Sequence, residues 1–353
     1  VESDLGLSHA EAGSFFLLVS LGYFTTLLAS SFITCRLTHK QTIISSNIAL
    51  GFALLVTAFS TGLWGMRLGL IMVGMAAGPY IPSGIATLTT LIKSRDWGKA
   101  ISIHELAPNL SFVLAPLVCE AVLYWFSWRT VFMVLGIAAF LLAGVFARFG
   151  RGGEFHGDFV GYASIHKFFS KPSFWVMVVL FSLGISGTLG VYTMLPLYLV
   201  TDHGMERNWA NTLIALSRIA GVATTLVGGW ATDRIGPKRI LRVVFLMTGL
   251  LTIFIGFAPS SWISVAVFLQ PLVAVCFFPA GLAALSMVSS PKERNIMVSL
   301  TVPIAFLVGG GASPTLIGFF GDISSFGLGI ALVGGLILAG TIFSGHLKFY
   351  NQT

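Results

Sequence analysis

The chain of 353 residues is 56% hydrophobic and 9% charged, with a mean hydropathy of +0.91. A soluble domain carries about 25% charged residues, so this composition excludes a water-soluble enzyme or binding module and places the chain in a bilayer. The formal net charge of +7 rests on bases gathered between apolar runs, which is a topology signal and not a nucleic-acid footprint.

Eleven apolar segments are long enough to cross about 30 Å of hydrocarbon as helices. They lie at 12–34, 41–61, 63–91, 99–124, 128–149, 174–200, 209–231, 240–258, 261–288, 295–319 and 326–347. The runs are continuous and do not alternate, which excludes a transmembrane β-barrel. An all-α membrane protein is expected. Its N-terminal helical bundle covers 1–149 and its C-terminal bundle 174–353. A polar linker over 150–173 joins them, with a short interfacial helix expected at 164–169.

If the loop after 12–34 is cytoplasmic and the rest alternate, sixteen of the twenty Lys and Arg residues fall in cytoplasmic loops. Arg129 and Arg207 fall outside; Arg67 and Arg218 fall within apolar segments. The positive-inside rule therefore predicts a multi-pass protein of the plasma (bacterial inner) membrane with its basic loops in the cytoplasm. Cys35, Cys119 and Cys276 are too scattered for a disulfide framework, and no metal-ligand spacing is present, His156, His166 and His203 included. No cofactor is expected.

The chain repeats itself. Phe32-x-Thr34-Cys35-Arg36-x-x-x-Lys40 aligns with Trp230-x-Thr232-Asp233-Arg234-x-x-x-Lys238 at an offset of 198. Pro82-Ser83-Gly84 aligns with Pro279-Ala280-Gly281 at 197, and Ser111-x-x-x-Ala115-Pro116 with Gly309-x-x-x-Ser313-Pro314 at 198. Three matches in one register imply two parallel repeats related by a pseudo-twofold axis. Segment 174–200 has no partner in the first half, so the chain is expected to lack one helix of a six-helix bundle.

The stretch Gly228-Gly229-Trp230-Ala231-Thr232-Asp233-Arg234-Ile235-Gly236-Pro237-Lys238-Arg239 is a tight basic turn between two apolar runs. Gly236 permits positive φ, and Pro237 cannot continue the preceding helix. The pattern G-x-x-x-D-R-x-G-x-K-R resembles the signature loop of the major facilitator superfamily. Trp128-Arg129-x-x-Phe132 and Gly74-x-x-x-Gly78 with Pro82 resemble two further parts of that family. The resemblance covers nearly the whole chain and implies twelve helices in two six-helix bundles, of which eleven are present. It implies a cytoplasmic gate at Asp233, Arg234, Gly236, Lys238 and Arg239. In the first half Cys35 stands where the family has Asp and Thr38 where it has Gly, so the gate is expected to be one-sided.

Arg218 lies about 16 Å deep in its segment, near the midplane. A guanidinium there is costly, is normally paired or used, and suits a carboxylate. The structural alternative is an arginine neutralised by an acid or by carbonyls. Glu105 and His104 could carry a coupling proton. Asn109, Tyr192 and Gln270 complete the candidate substrate-binding set; Tyr23, Tyr80 and Tyr198 are further polar groups within the membrane. Glu120 and Arg67 lie near helix ends, where snorkelling to the interface explains them.

The expected function is secondary active transport of a small organic anion, a mono- or dicarboxylate, by alternating access with proton coupling, as symport or antiport. The expected partners are that small molecule, H⁺ and the lipid bilayer, with no nucleic acid, and the protein is expected to be a monomer. Export of an amphipathic drug-like compound is the alternative within transport, and a receptor on the same fold the alternative outside it. H-E-x-x-H, G-x-S-x-G and paired intramembrane aspartates are absent from the sequence, so the chain does not read as an enzyme.

Overall fold

The computed structural model describes residues 4, 6–92, 97–157, 169–288, 294–347 and 349; within these, the side chains of 89, 97–103, 105, 106, 109, 112, 116, 286, 294–296 and 299 are not described. The expectations for Glu105, Asn109 and an interfacial helix over 164–168 lie outside the described residues.

The chain enters through Ser8, whose side chain accepts from the Glu11 amide while Glu11 returns to the Ser8 amide. This reciprocal cap satisfies two donors that a helix start otherwise leaves open. It begins α1 (His9–Leu28), which continues through the short α2 (Ser30–Thr34). There follow α3 (His39–Ala58), α4 (Leu63–Ala77), α5 (Tyr80–Leu91), α6 (Trp97–Trp125) and α7 (Trp128–Phe149). The second bundle opens with α8 (Pro172–Ile185), a π-helical turn over Ser186–Gly190, and α9 (Val191–Thr201). Next come α10 (Arg207–Ile235), α11 (Pro237–Phe257), α12 (Ile263–Ala274) and α13 (Phe277–Val288). A second π turn, Leu307–Ala312, lies between α14 (Arg294–Phe306) and α15 (Ser313–Ile323), and α16 (Phe326–Phe343) closes the fold.

Ten helical stretches among the described residues are long and apolar enough to cross a membrane, and α6 adds a further apolar helix. The internal repeat is visible in the helix starts. Arg207, Pro237, Phe277, Arg294 and Phe326 open α10, α11, α13, α14 and α16, 197 or 198 residues after His9, His39, Tyr80, Trp97 and Trp128 open α1, α3, α5, α6 and α7.

The two copies use different chemistry at one turn. Gly236 joins α10 to α11 at φ +93°, a conformation open to glycine at little cost. The equivalent residue, Thr38, stays at φ −65° and caps α3 through Gln41. The linker completes that cap, since the Phe155 and Gly153 carbonyls accept from the His39 and Lys40 amides at 3.0 and 2.8 Å. Lys40 Nζ pairs with Glu154 at 3.0 Å, and the Gly157 amide donates to Thr34 O at 2.9 Å. The end of the molecule carrying these contacts and the Gly236 turn is termed the linker face.

The second bundle has the larger dry core, built on Phe174, Phe181, Phe245, Phe277 and Phe326, all fully buried. At its opposite face Tyr198 Oη donates to Ile255 O at 2.7 Å, and His203 Nε2 meets the same hydroxyl at 2.8 Å. Because that hydroxyl already donates, His203 must donate from Nε2, and Nδ1 then accepts from Ser260 Oγ at 3.2 Å. Asp202 tends to raise the titration point of His203, but burial outweighs it and holds the imidazole below the ordinary histidine range. Stability from this group is present above that range and is lost as pH falls through it. The melting temperature of purified protein is expected to drop between about pH 7 and about pH 5, and the drop to shrink in His203→Gln; identical pH profiles would refute this role.

Candidate functional site

The site forms where α8 passes into α9. Ser186, Gly187, Thr188 and Gly190 fill the π turn, and two of their hydroxyls bond back to the preceding turn. Ser186 Oγ donates to Ser182 O at 2.8 Å and Thr188 Oγ1 to Gly184 O at 3.0 Å. Such back-bonding competes with the regular ladder, and a π turn changes which carbonyls the ladder uses. Two carbonyls of the turn accept from side chains of other helices. Gln270 Nε2, on α12, donates to Gly187 O at 2.8 Å and contacts Thr252 Oγ1 at 3.2 Å. Arg218 Nη2, on α10, donates to Thr188 O. The Arg218 guanidinium also lies over the Tyr192 ring, 4.0 Å from its centroid.

Three sequence candidates, Arg218, Tyr192 and Gln270, thus converge on a single helical turn. Arg218 is 6% exposed and Gln270 2% exposed. A charge at that depth is stable only with partners that replace water, which the carbonyl and the aromatic face supply in part. Gln270 uses its amide nitrogen on the π turn and on Thr252, so it braces the turn from inside the bundle wall.

His104 is not part of this cluster. Its Nε2 stands 3.4 Å from Tyr80 Oη, in the first bundle, on the wall of a cavity of about 520 Å³. Ser46, Asn47, Leu50 and Tyr80 share that wall. Their counterparts in the second bundle are Val244, Phe245, Thr248 and Phe277 or Phe278. Leu183 and Gly184 of α8 lie against Val244, Phe245, Thr248 and Phe277 there. By the repeat, the wall of this cavity aligns with the surface on which α8 packs in the second bundle, and the cavity carries no cargo assignment.

At the linker face, Lys238 Nζ donates to Leu347 O at 2.9 Å and Arg234 lies 4.7 Å over the Trp230 ring. Asp233 and Arg239 are exposed, and no hydrogen bond or ion pair joins Asp233 to another described residue. The signature loop is thus held by its bases to its own bundle.

The two bundles meet in a seam at the opposite face. Asp322 of α15 sits on the first turn of α1, accepting from the His9 and Ala10 amides at 2.7 Å each. Glu120 of α6 accepts from Arg207 Nε at 2.7 Å and Asn211 Nδ2 at 2.8 Å, both on α10. Glu120 thus ties the bundles together as well as lying near a helix end. Arg67 pairs within the first bundle, with Glu11 at 3.1 Å, and lies over Trp64. The sequence did not show these partners because each lies far away along the chain. The backbones of α1 and α15 touch along the seam, where a methyl group on Gly13 would stand 2.6 Å from the Pro314 carbonyl oxygen.

A model of the Major Facilitator Superfamily matches residues 1–224 and 208–350. The chain belongs to that superfamily, a class of membrane transporter and not of enzyme. It is 25% identical over 398 residues to the probable galactarate/D-glucarate transporter GudP of Bacillus subtilis, covering 99% of this chain and 82% of that protein. It is 23% identical over 373 residues to the probable sulfoacetate transporter SauU of Cupriavidus necator, covering 98% and 86%. Matches to two further curated relatives span 38% and 63% of those proteins' own lengths. Among solved structures, a bacterial homologue of the human lysosomal transporter Spinster in an inward-facing, occupied conformation superposes with a TM-score of 0.78. Its identity is 16%, over 100% of this chain and 93% of that one.

The seam contacts differ in strength. Hydrogen bonds to a charged group contribute about 1.5–3 kcal/mol each, an exposed ion pair about 0.2–1. Arg207 is 58% exposed in its pair with Glu120, so Glu120 keeps one strong bond across the seam, from Asn211, where Asp322 keeps two. In a background without Cys35, Cys119 and Cys276, a cysteine introduced at Leu17 should therefore react several-fold faster with a thiol reagent in Asp322→Ala than in Glu120→Ala. Equal rates would show that Asp322 does not hold the seam.

Proposed function

We propose that the protein is a secondary active transporter that carries a small organic anion, a mono- or dicarboxylate, by alternating access. The single observation behind this reading is the buried guanidinium of Arg218, which donates to a backbone carbonyl and lies over the Tyr192 ring. A planar fork of five donors fits a carboxylate in a bidentate manner, and a low-dielectric setting strengthens that bond. The similarity to a probable galactarate/D-glucarate transporter and a probable sulfoacetate transporter supports the same chemistry, since all three compounds are organic anions.

In this reading the halves 1–149 and 174–353 rock about the site while 150–173 tethers them. The linker face, rich in Lys and Arg, is the cytoplasmic face. Coupling is to protons, and His104 and Glu105 of α6 carry them; a histidine titrates in the physiological range. The signature loop at Asp233, Arg234, Gly236, Lys238 and Arg239 works as the cytoplasmic gate. The transporter acts as a monomer in the plasma membrane.

The test is uptake by purified protein in proteoliposomes, with labelled lactate, succinate, D-glucarate and sulfoacetate, with and without an inward proton gradient. Uptake of at least one anion is expected to rise with the gradient. It is expected to fall by about 10- to 100-fold in Arg218→Lys, the cost of losing one charge-assisted bond of about 1.5–3 kcal/mol. Full uptake in that variant would end the anion assignment, and gradient-independent uptake would end proton coupling.

A further inference from the structure

The Arg218 bond to Thr188 has a partner that does the same work from the other side. Gln270 holds Gly187 O, and Arg218 holds the next carbonyl along, Thr188 O. The two donors come from α12 and α10, so a single π turn is gripped between two helices. The grip continues outward. Ser186 Oγ lies 2.8 Å from Ser313 Oγ, the first residue of α15. Gly190, at the end of the turn, lies so close to Gly309 and Ser313 that a methyl group on it would collide with both. The far end of α15 carries Asp322, the seam carboxylate on α1.

We propose that Arg218 and Gln270 form a cargo-released clamp on the first π turn, with Gln270 as the positioning residue that keeps the turn, and through it the seam, in its closed arrangement. The proposal rests on Arg218 as the anion-binding group. A carboxylate is a stronger acceptor for a guanidinium than a neutral carbonyl. An arriving anion therefore draws the Arg218 donor from Thr188 O, and the turn is left with Gln270 alone. A π turn holds one residue more than the α-helix would, and moving that residue along the helix rotates what it passes by roughly 100° and shifts it by roughly 1.5 Å. Such a shift carries Ser186 and Gly190 away from Ser313 and Gly309 and loosens the base of α15. Occupancy at Arg218 is thereby read at the seam by a helix with two discrete registers, the kind of bistable element that transmission requires.

The experiment places spin labels at Phe59→Cys and Ser261→Cys, exposed positions on the opposite face of the two bundles, in a background without the three native cysteines. Distances are read by double electron–electron resonance with and without saturating succinate or sulfoacetate, beside equilibrium binding of the same anions. Gln270→Leu is expected to shift the anion-free distribution toward the one the wild type reaches with anion. The population ratio should change about 5-fold, the worth of one net hydrogen bond, and the Kd for the anion should tighten by up to the same factor, as linkage requires, and not weaken. Gln270→Glu, which presents an acceptor to a carbonyl, should shift it further. If Gln270→Leu does not reach the membrane folded, Thr252→Val reads the same clamp, because that hydroxyl orients the Gln270 amide. Distributions unchanged in these variants, with Arg218→Lys still abolishing uptake, would overturn the clamp and leave the anion site standing. Loss of binding in Gln270→Leu with no shift in distance would overturn it too, making Gln270 a cargo contact.

Discussion

The fold depends on a guanidinium kept far from water. Arg218 is tolerable at its depth because one helical turn departs from regular geometry beside it and turns a carbonyl and an aromatic face toward it. The sequence of that turn explains its departure. Two glycines weaken the helix, and Ser186 and Thr188 offer hydroxyls that compete for the carbonyls of the preceding turn. Without the irregularity the charge would lose the Thr188 carbonyl; without the charge the irregular turn would lose a brace. Each compensates for a local rule that the other breaks, which is the pattern expected at a functional position.

Much of the architecture was legible in the sequence because a bilayer forces backbone groups to satisfy themselves within each segment. Continuous apolar runs then read directly as helices, and the repeat between Phe32–Lys40 and Trp230–Lys238 reappears as helix starts in one register. The glycine at 236 and the threonine at 38 were readable as different turns, and the structure gives them different φ angles. What was not legible were contacts between distant segments. Asp322 attracted no notice because an acid near a helix end is ordinary, and its two donors are backbone amides 313 and 312 residues away. The partners of Glu120 and Arg67 were hidden for the same reason. Arg218 could be singled out by depth alone, but its carbonyl partner could not, since the glycines and hydroxyls of 186–190 are also ordinary packing residues of regular membrane helices.

The two bundles divide the work unequally. The second carries the aromatic core, both π turns and the Arg218 cluster. Among the described residues the first has a buried cluster around Met66, Leu70 and Trp128, and the seam at the opposite face ties it to the second bundle through Asp322 and Glu120. Interfaces within a chain resemble transient contacts between proteins, so relative motion across such a seam is the default.

The tether between the halves has a property that its length alone does not suggest. Residues 153–157 serve as the missing first turn of α3, lending it carbonyls that a threonine cap cannot reach. Pulling this stretch away would strand the His39 and Lys40 amides, which a low-dielectric surrounding penalises. The leash is therefore pinned to α3 at its near end. In a carrier whose halves rock, a stop of this kind would limit how far one half can swing from the other, as a strap sewn partway along limits the opening of a lid.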